Sequence, residues 1–302
     1  MIKRTLYFGN PAYLSTAQEQ LVVTFKDAEK KSAPIEDIGL VILDHQQITI
    51  TQCAISKLLA NNVALITCNE THHPTGLMLN LEGHSLQTQK FIAQSSASVP
   101  LKKQLWQATV MAKIENQAHV LSRQGKEASH LYRLSRAVKS NDSENLEAQA
   151  AAWYWKRVFP EHLDFNRSRG GLPPNNLLNY GYAILRALVA RSLVGSGLHP
   201  TLGIFHRNQY NAYCLADDIM EPYRPFVDDH ICGLLDAWMT DGTLPQELGS
   251  EHKRALLAIP TLDVIMNRQR SPLLAAVQHT TASLSRCFEE GDSGHISYPS
   301  FI

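Results

Sequence analysis

No window of this 302-residue sequence approaches the ~18 consecutive apolar residues that a membrane-spanning helix needs. The most apolar stretch, residues 183–194, is interrupted by Arg186 and Arg191. The start does not read as a secretory leader, because Gly9-Asn10-Pro11 closes it before an apolar core develops. Cysteine is sparse: Cys53, Cys68, Cys214, Cys232 and Cys287 are odd in number and widely scattered. That argues against a disulfide framework and for reduced thiols, so a cytoplasmic protein is expected. Internal repeats and low-complexity tracts are also missing, and hydrophobic residues at 44% against 19% charged exclude disorder as the main state.

Net charge is zero as well, with 28 basic and 28 acidic side chains, but the charges are segregated. Eight basic residues between positions 102 and 139 face only Glu115 and Glu127. Lys156, Arg157, Arg167, Arg169, Arg186 and Arg191 face Glu161 and Asp164. From Asp217 to Glu251 the sign reverses, with nine acids against Arg224. Basic surface neutralises phosphates and an acidic pocket holds a cation, so a polyanion-handling metalloprotein would use both. Solvated helix faces account for the same charges equally well.

The first ~85 residues read as short strands and turns: Leu21 to Phe25, Ile38 to Leu43, Ile48 to Thr51 and Val63 to Cys68 are β-branched or apolar runs. A helix over 52–61 carries Ile55, Leu58 and Leu59 at helical spacing and closes at Asn61-Asn62. From about 87 the periodicity becomes helical, over 87–125, 127–139, 145–159, 176–194, 228–239, 251–267 and 272–288. Residues 167–176, with Gly170-Gly171 and Pro173-Pro174, form a loop, and Asn175 or Asn176 caps the next helix. That helix is apolar nearly all round and belongs inside. The tail after Gly291 reads as loose and polar. The expected fold is α+β: a small, mainly-β unit over 1–86, then a larger all-α unit over 87–302.

Three places in the helical part carry candidate ligands. Glu147 precedes an alanine-rich stretch, His206 follows Gly203-Ile204-Phe205, and Asp217-Asp218-Ile219-Met220-Glu221 is followed by Pro222-Tyr223-Arg224-Pro225. On a helix, Asp217 or Asp218 shares a face with Glu221, and the two prolines re-aim the chain at its Glu221 end. Histidine with carboxylates suits Mg²⁺ or Mn²⁺, which can activate a hydroxyl and neutralise a phosphodiester in its transition state. Periodicity alone does not bring the three places together. Cys68 with His72 and His73 lacks a second ligand pair at zinc spacing.

The run Gly197-Leu198-His199-Pro200-Thr201-Leu202-Gly203-Ile204-Phe205-His206, followed by Leu215 to Pro225, resembles the signature of the CRISPR-associated spacer-acquisition integrase, the universal first member of the CRISPR-associated proteins. Glu147 before its alanines, Asn179-Tyr180-Gly181-Tyr182, and Ile35 to Thr51 match as well, while Asn62 to Thr67 and Gly76 to Leu79 look like the type II version. The resemblance implies a dimerising N-terminal β unit and a helical catalytic unit. Its metal-binding and catalytic triad carries over to Glu147, His206 and Glu221, with Asp218 as a further acidic position. Pro222 departs from relatives that carry a second acid there.

The implied activity is metal-dependent endonuclease and integrase chemistry on DNA, in which a fragment's 3′-hydroxyl attacks a phosphate at the edge of a CRISPR repeat. The implied partners are double-stranded DNA (prespacer fragments and the repeat), a second copy in a homodimer, a small ferredoxin-like CRISPR adaptor protein and the type II RNA-guided effector nuclease. The basic stretch over 102–139 and the Arg167/Arg169 loop are the expected backbone contacts. Two rivals need the same residues or fewer: a stand-alone metal-dependent nuclease of branched DNA in repair, and a non-catalytic DNA-binding scaffold. A histidine-and-carboxylate iron oxygenase has the wrong ligand count.

Overall fold

The computed structural model describes residues 3–25, 29–168, 170–239, 244 and 246–302. Strands β1 (Arg4–Phe8), β2 (Ala12–Ala17), β3 (Gln20–Phe25), β4 (Lys30–Pro34), β5 (Ile38–Leu43) and β6 (Thr49–Ile50) precede α1 (Gln52–Ala60). Then come β7 (Ala64–Cys68) and β8 (Pro74–Met78). They form two sheets in the orders β1-β5-β7-β8 and β4-β3-β2-β6. Within the first, β1, β5 and β7 are parallel and β8 closes the edge antiparallel.

The apolar runs of β5 and β7 arise because this sheet is buried on both faces. Val41 and Leu65 point to a core shared with Leu14, Leu21 and Leu58. Their neighbours Leu40, Ile42, Ala64 and Ile66 point the other way, into the core of the helical part. Between Arg4 and Thr5 the β1–β5 register slips past Gly39, where an added Cβ would sit 2.8 Å from Lys3 Cβ. A glycine bulge there puts Ile38 and Leu40 on opposite faces although they are two residues apart.

The helical part comprises α2 (Gln87–Ser95), α3 (Val99–Arg123), α4 (Ser129–Ala137), α5 (Leu146–Val158), α6 (Asn175–Gly195), α7 (Cys214–Met220), α8 (Arg224–Cys232), α9 (Leu235–Trp238) and α10 (Ser250–Leu256). A hairpin, β9 (Asp263–Met266) with β10 (Gln269–Pro272), leads into α11 (Leu273–Glu290). The chain is therefore α+β, with strands first and helices after. No helix among the described residues is long and apolar enough to cross a membrane. As its sequence implies, α6 is central, with Leu177, Leu178, Tyr180, Ile184, Leu185 and Leu188 almost wholly buried.

Several sequence expectations need correction. The helix expected over 87–125 is two helices, because Ser98 Oγ accepts from Leu101 N and Pro100 sits in the new first turn. The one expected over 228–239 breaks after Cys232. The 251–267 helix ends at Leu256: Pro260 opens a 3₁₀ turn, and Asn267 and Arg268 at φ 50° and 65° make a two-residue turn of the hairpin kind. Pro174 occupies the N-cap of α6, while Asn175 instead closes the preceding loop, accepting from Arg167 Nη1 (2.9 Å) and Ser168 N (3.0 Å). The tail after Gly291 is not loose. Ser300 bridges to Ile265, Phe301 stacks on Phe226 at 4.1 Å, and Tyr298 Oη meets Thr109 Oγ1 at 2.7 Å.

A buried ion pair ties the first sheet to the helices. Asp44, just past β5, accepts from Lys253 Nζ of α10 at 2.8 Å, and the two side chains are 1% and 5% exposed. Tyr7 Oη donates to the same carboxylate, and His72 Nδ1 lies 2.9 Å from it. Lys253→Met strands the Asp44 charge and should cost about 3 kcal/mol in urea unfolding. The double variant Asp44→Asn/Lys253→Met should lose less than Lys253→Met alone; an equal or greater loss would refute the assignment.

Candidate active site

Glu147 lies in the first turn of α5, and its position is set by Asp142. The Asp142 carboxylate accepts from Leu146 N (2.8 Å) and Glu147 N (3.0 Å), filling the place of the missing N-cap side chain. Left-handed backbone at Asn141, Asp142 and Asn145 folds the entering chain back far enough to allow this.

Glu221 opens the single 3₁₀ turn between α7 and α8 that Pro222 and Pro225 impose. A carbonyl left over at that turn, Pro222 O, accepts from Asn116 Nδ2 of α3 at 2.8 Å. The same face of α3, one turn earlier, carries Lys113. Its ammonium stands between the two glutamates, 2.6 Å from Glu147 Oε1 and 2.5 Å from Glu221 Oε2. Arg224 holds the other Glu221 oxygen at 3.0 Å. The contact on Glu221 Oε2 is a close ion pair with the Lys113 ammonium, the one partner of that oxygen among the described ion pairs.

His206 is aimed by a carboxylate. The backbone N–H groups of Ile204 and Phe205 donate to Asp218 Oδ2 at 2.7 and 3.0 Å, and that of His206 donates to Oδ1 at 3.2 Å. His206 Nδ1 meets Oδ1 at 2.5 Å, which fixes the ring and leaves Nε2 with no partner among the described residues. A wholly buried Asp218 thus folds the loop around itself. Gly203 is required there, since an added Cβ would stand 2.4 Å from His206 O and 2.9 Å from Asp218 Oδ2. Phe205 stacks flat on buried Trp106, with centroids 4.2 Å apart.

The three acids of the 217–221 segment therefore have separate partners. Asp217 is held by Arg186 at 2.6 and 3.0 Å and by Asn211 at 2.7 Å; Asp218 binds the histidine loop; Glu221 faces Lys113 and Arg224. Among the described ion pairs, neither Asp217 nor Asp218 touches the Lys113 or Arg224 that Glu221 touches. The structure brings Glu147 and Glu221 together on one ammonium and turns His206 onto Asp218. Among the described residues, no group of three or more His, Cys, Asp or Glu side chains is arranged to hold a metal as the side chains stand.

Charges in the site shift one another. Burial alone would raise the Glu221 pKa, but Arg224 and Lys113 hold it below the ordinary carboxylate range. Burial opposes the Lys113 charge, yet Glu221 and Glu147 raise its pKa. The Asp218 hydrogen bond raises the His206 pKa against the effect of burial. The site is graded in exposure, with Glu221 5%, Glu147 23% and His206 42% accessible. A hollow of about 360 Å³ opens beside His206, lined by Gln94, Lys102, Thr201, Asn208 and Asn211 among others.

Sequence spacing does not single out Lys113 or Asp142 as site residues. Lys113 reads as one of the basic stretch, yet Thr109, Lys113, Asn116 and Gln117 mark a polar stripe on the buried, largely apolar face of α3. Lys126, another of that stretch, points inward to the Arg157 and Val158 carbonyls, so the run is not a uniform phosphate-binding strip. Arg167 closes its own loop against Asn175 and Asn179, and Arg169 lies outside the described residues.

Behind the site, the Tyr182 ring lies 5.0 Å from the Arg224 guanidinium, and Tyr182 and Tyr154 both donate to Asp228. Burial pushes the Asp228 carboxyl up to about 7 despite those two bonds. The folded chain then keeps this proton after the unfolded chain has released its own, so stability falls as pH rises from about 4 to about 7. Asp228→Asn should lack that decline; parallel urea midpoints for the two proteins across this window would disprove it. At the histidine, Asp218→Asn should lower the His206 pKa, read from the imidazole carbon shifts by NMR. An unmoved titration would remove Asp218 from its aiming role.

Three comparisons place this architecture. The family model described as "CRISPR associated protein Cas1" matches residues 6–243. The CRISPR-associated endonuclease Cas1 of Neisseria meningitidis serogroup C (strain 8013) is 34% identical over 304 residues, covering 100% of this chain and 97% of the relative. Among solved structures, a casposase bound to integration product superposes with a TM-score of 0.77 at 20% identity, over 97% of this chain and 92% of that one. A Cas6-RT-Cas1–Cas2 complex gives 0.76 at 21% identity, over 97% of this chain and 36% of that one. With a family model matching most of its length and a full-length relative above 30% identity, the chain belongs to the Cas1 family of CRISPR-associated proteins.

Proposed function

We propose that this protein is a metal-dependent DNA endonuclease and integrase of CRISPR adaptation, joining short DNA fragments to the repeat array through their 3′-hydroxyls. The observation that carries the reading is a buried and a half-buried glutamate, Glu221 and Glu147, facing one cation beside a histidine oriented by a carboxylate, in a chain of the Cas1 family. Glu147, Glu221 and the Nε2 atom of His206 would hold Mg²⁺ or Mn²⁺. The donor chemistry fits, since oxygen ligands suit both ions and one imidazole suits Mn²⁺. Glu221 Oε2 and Glu147 Oε1 already meet on one positive charge, the Lys113 ammonium, and that is the structural sign of such a place. Bound there, the cation supplies the charge that lowers the pKa of the attacking hydroxyl and stabilises the crowded phosphorus.

The chain's own residues do the rest. Arg224 keeps Glu221 ionised and fixed, and Asp218 presents Nε2 outward while holding Nδ1. The graded exposure leaves the His206 side open, so the phosphodiester enters there and Glu221 stays shielded from water. Lys102 beside the hollow and exposed Lys103, Arg133 and Arg136 would meet phosphates without reading sequence. In this reading the cytoplasmic partners are double-stranded prespacer DNA and the CRISPR repeat, a second copy meeting through the β unit, a Cas2-type ferredoxin-like adaptor, and the type II effector nuclease. The N-terminal unit over 1–86 would dimerise and that over 87–302 would carry catalysis.

Strand-transfer assays test this directly. With Mn²⁺, fragments ending in a 3′-hydroxyl should be joined to a repeat duplex and 3′-blocked fragments should not. Glu221→Gln should lower joining by at least the roughly 10–100-fold that losing even a supporting partner of a metal ligand costs. Joining that ignores the blocked end overturns the integrase reading, and full activity in Glu221→Gln overturns the site.

A further inference from the structure

Lys113 does more here than neutralise a carboxylate. Its side chain is 11% exposed and reaches both glutamates, at 2.6 and 2.5 Å. The two carboxylates come from different elements, Glu147 from the start of α5 and Glu221 from the turn after α7. Nothing else among the described contacts links them to each other. Without a cation between them, two carboxylates in a buried place repel, and one must take a proton or move away. The two Glu221 oxygens are also treated differently. Oε1 is held by Arg224, whose planar fork, set against the Tyr182 ring, makes it a fixed partner. Oε2 is paired, among the described ion pairs, with the Lys113 ammonium only. An ammonium on a flexible four-carbon stem is the kind of partner that can withdraw without disturbing α3.

We propose that Lys113 is an internal, exchangeable counter-cation: its ammonium holds Glu147 and Glu221 at cation-binding separation in the metal-free protein and is displaced when a divalent ion enters. This rests on the metal-site reading above and adds a competitor to it. The lysine is then a positioning residue that keeps the site assembled and sets how tightly the ion binds. A cation arriving at the wild-type site competes with a tethered ammonium, so affinity is lower than the ligands alone would give.

The test uses the full-length protein and Mn²⁺ alone, with no DNA and no activity readout. Mn²⁺ binding is monitored by the loss of the free-ion EPR signal, and unfolding by circular dichroism in EDTA and in saturating Mn²⁺. Lys113→Met should melt lower than wild type in EDTA, should gain more from Mn²⁺ than wild type does, and should bind Mn²⁺ at least about fivefold more tightly, the lower end of ordinary coupling between competing ligands. Lys113→Gln, which can still donate to one carboxylate, should shift affinity the same way and stands in if the methionine variant does not fold. Lys102→Met removes a nearby positive charge that touches neither glutamate and should change affinity less than twofold.

Affinity in both Lys113 variants that is unchanged or weaker overturns the exchange. So does a shift in Lys102→Met as large as theirs, which would reduce the effect to the general field. The double variant Glu147→Gln/Glu221→Gln separates the two levels. If wild type binds Mn²⁺ and this variant does not, the site stands whatever Lys113 does; if both bind alike, the metal-site reading itself fails.

Discussion

Two carboxylates brought together inside a protein need a positive charge between them, and that requirement organises the helical half of this molecule. In a medium of low dielectric the repulsion between Glu147 and Glu221 would otherwise be relieved by protonation or by separation. Lys113 and Arg224 supply the charge. Holding these four groups in register takes α3, α5 and the α7–α8 junction, each fixed by its own local device. Asp142 pins the start of α5, Asn116 fastens α3 to the carbonyl of Pro222, and the two prolines make the turn that presents Glu221. Polar groups buried this deeply are stable only when each has a partner, so the chemistry of the site and the packing around it are one problem.

The histidine side obeys the same logic through a different means. Asp218 accepts three backbone N–H groups and an imidazole N–H from a loop that would otherwise have little to hold it. A carboxylate with that many donors is a structural element in its own right. It also explains why adjacent acids diverge: Asp217 looks to Arg186 and Asp218 to the loop, because neighbours on a helix point about 100° apart.

The β part contributes by being buried twice. Leu40, Ile42, Ala64 and Ile66 make one face of the first sheet part of the helical core, and the Asp44–Lys253 pair pins its carboxyl end to α10. The central helix α6 packs against that face and also carries Arg186 and Tyr182, which support the site. A change in how the sheet sits on α6 would therefore be felt at Arg224 and Asp217.

Much of this was legible in the residues. Apolar runs marked β5 and β7, three- and four-residue spacing marked α5, α6 and α11, and ordered motifs singled out Glu147, His206, Asp218 and Glu221. Where reading failed, a local signal was overruled or too short to see. The β9–β10 hairpin looked helical because Val264, Ile265 and Met266 carry no period of their own, and its turn uses Asn267-Arg268 without a glycine. The polar tail found its place through Phe301 and Ser300 contacts with residues far back in the chain. The sequence by itself determined the strands-first, helices-after arrangement, the buried character of α6 and which side chains carry the carboxylate and imidazole groups of the site. Only the tertiary structure decided that Lys113 stands between the glutamates and that Asp218 aims a histidine. Those are contacts across 34, 108 and 12 residues of chain, set by packing that no spacing along the sequence encodes.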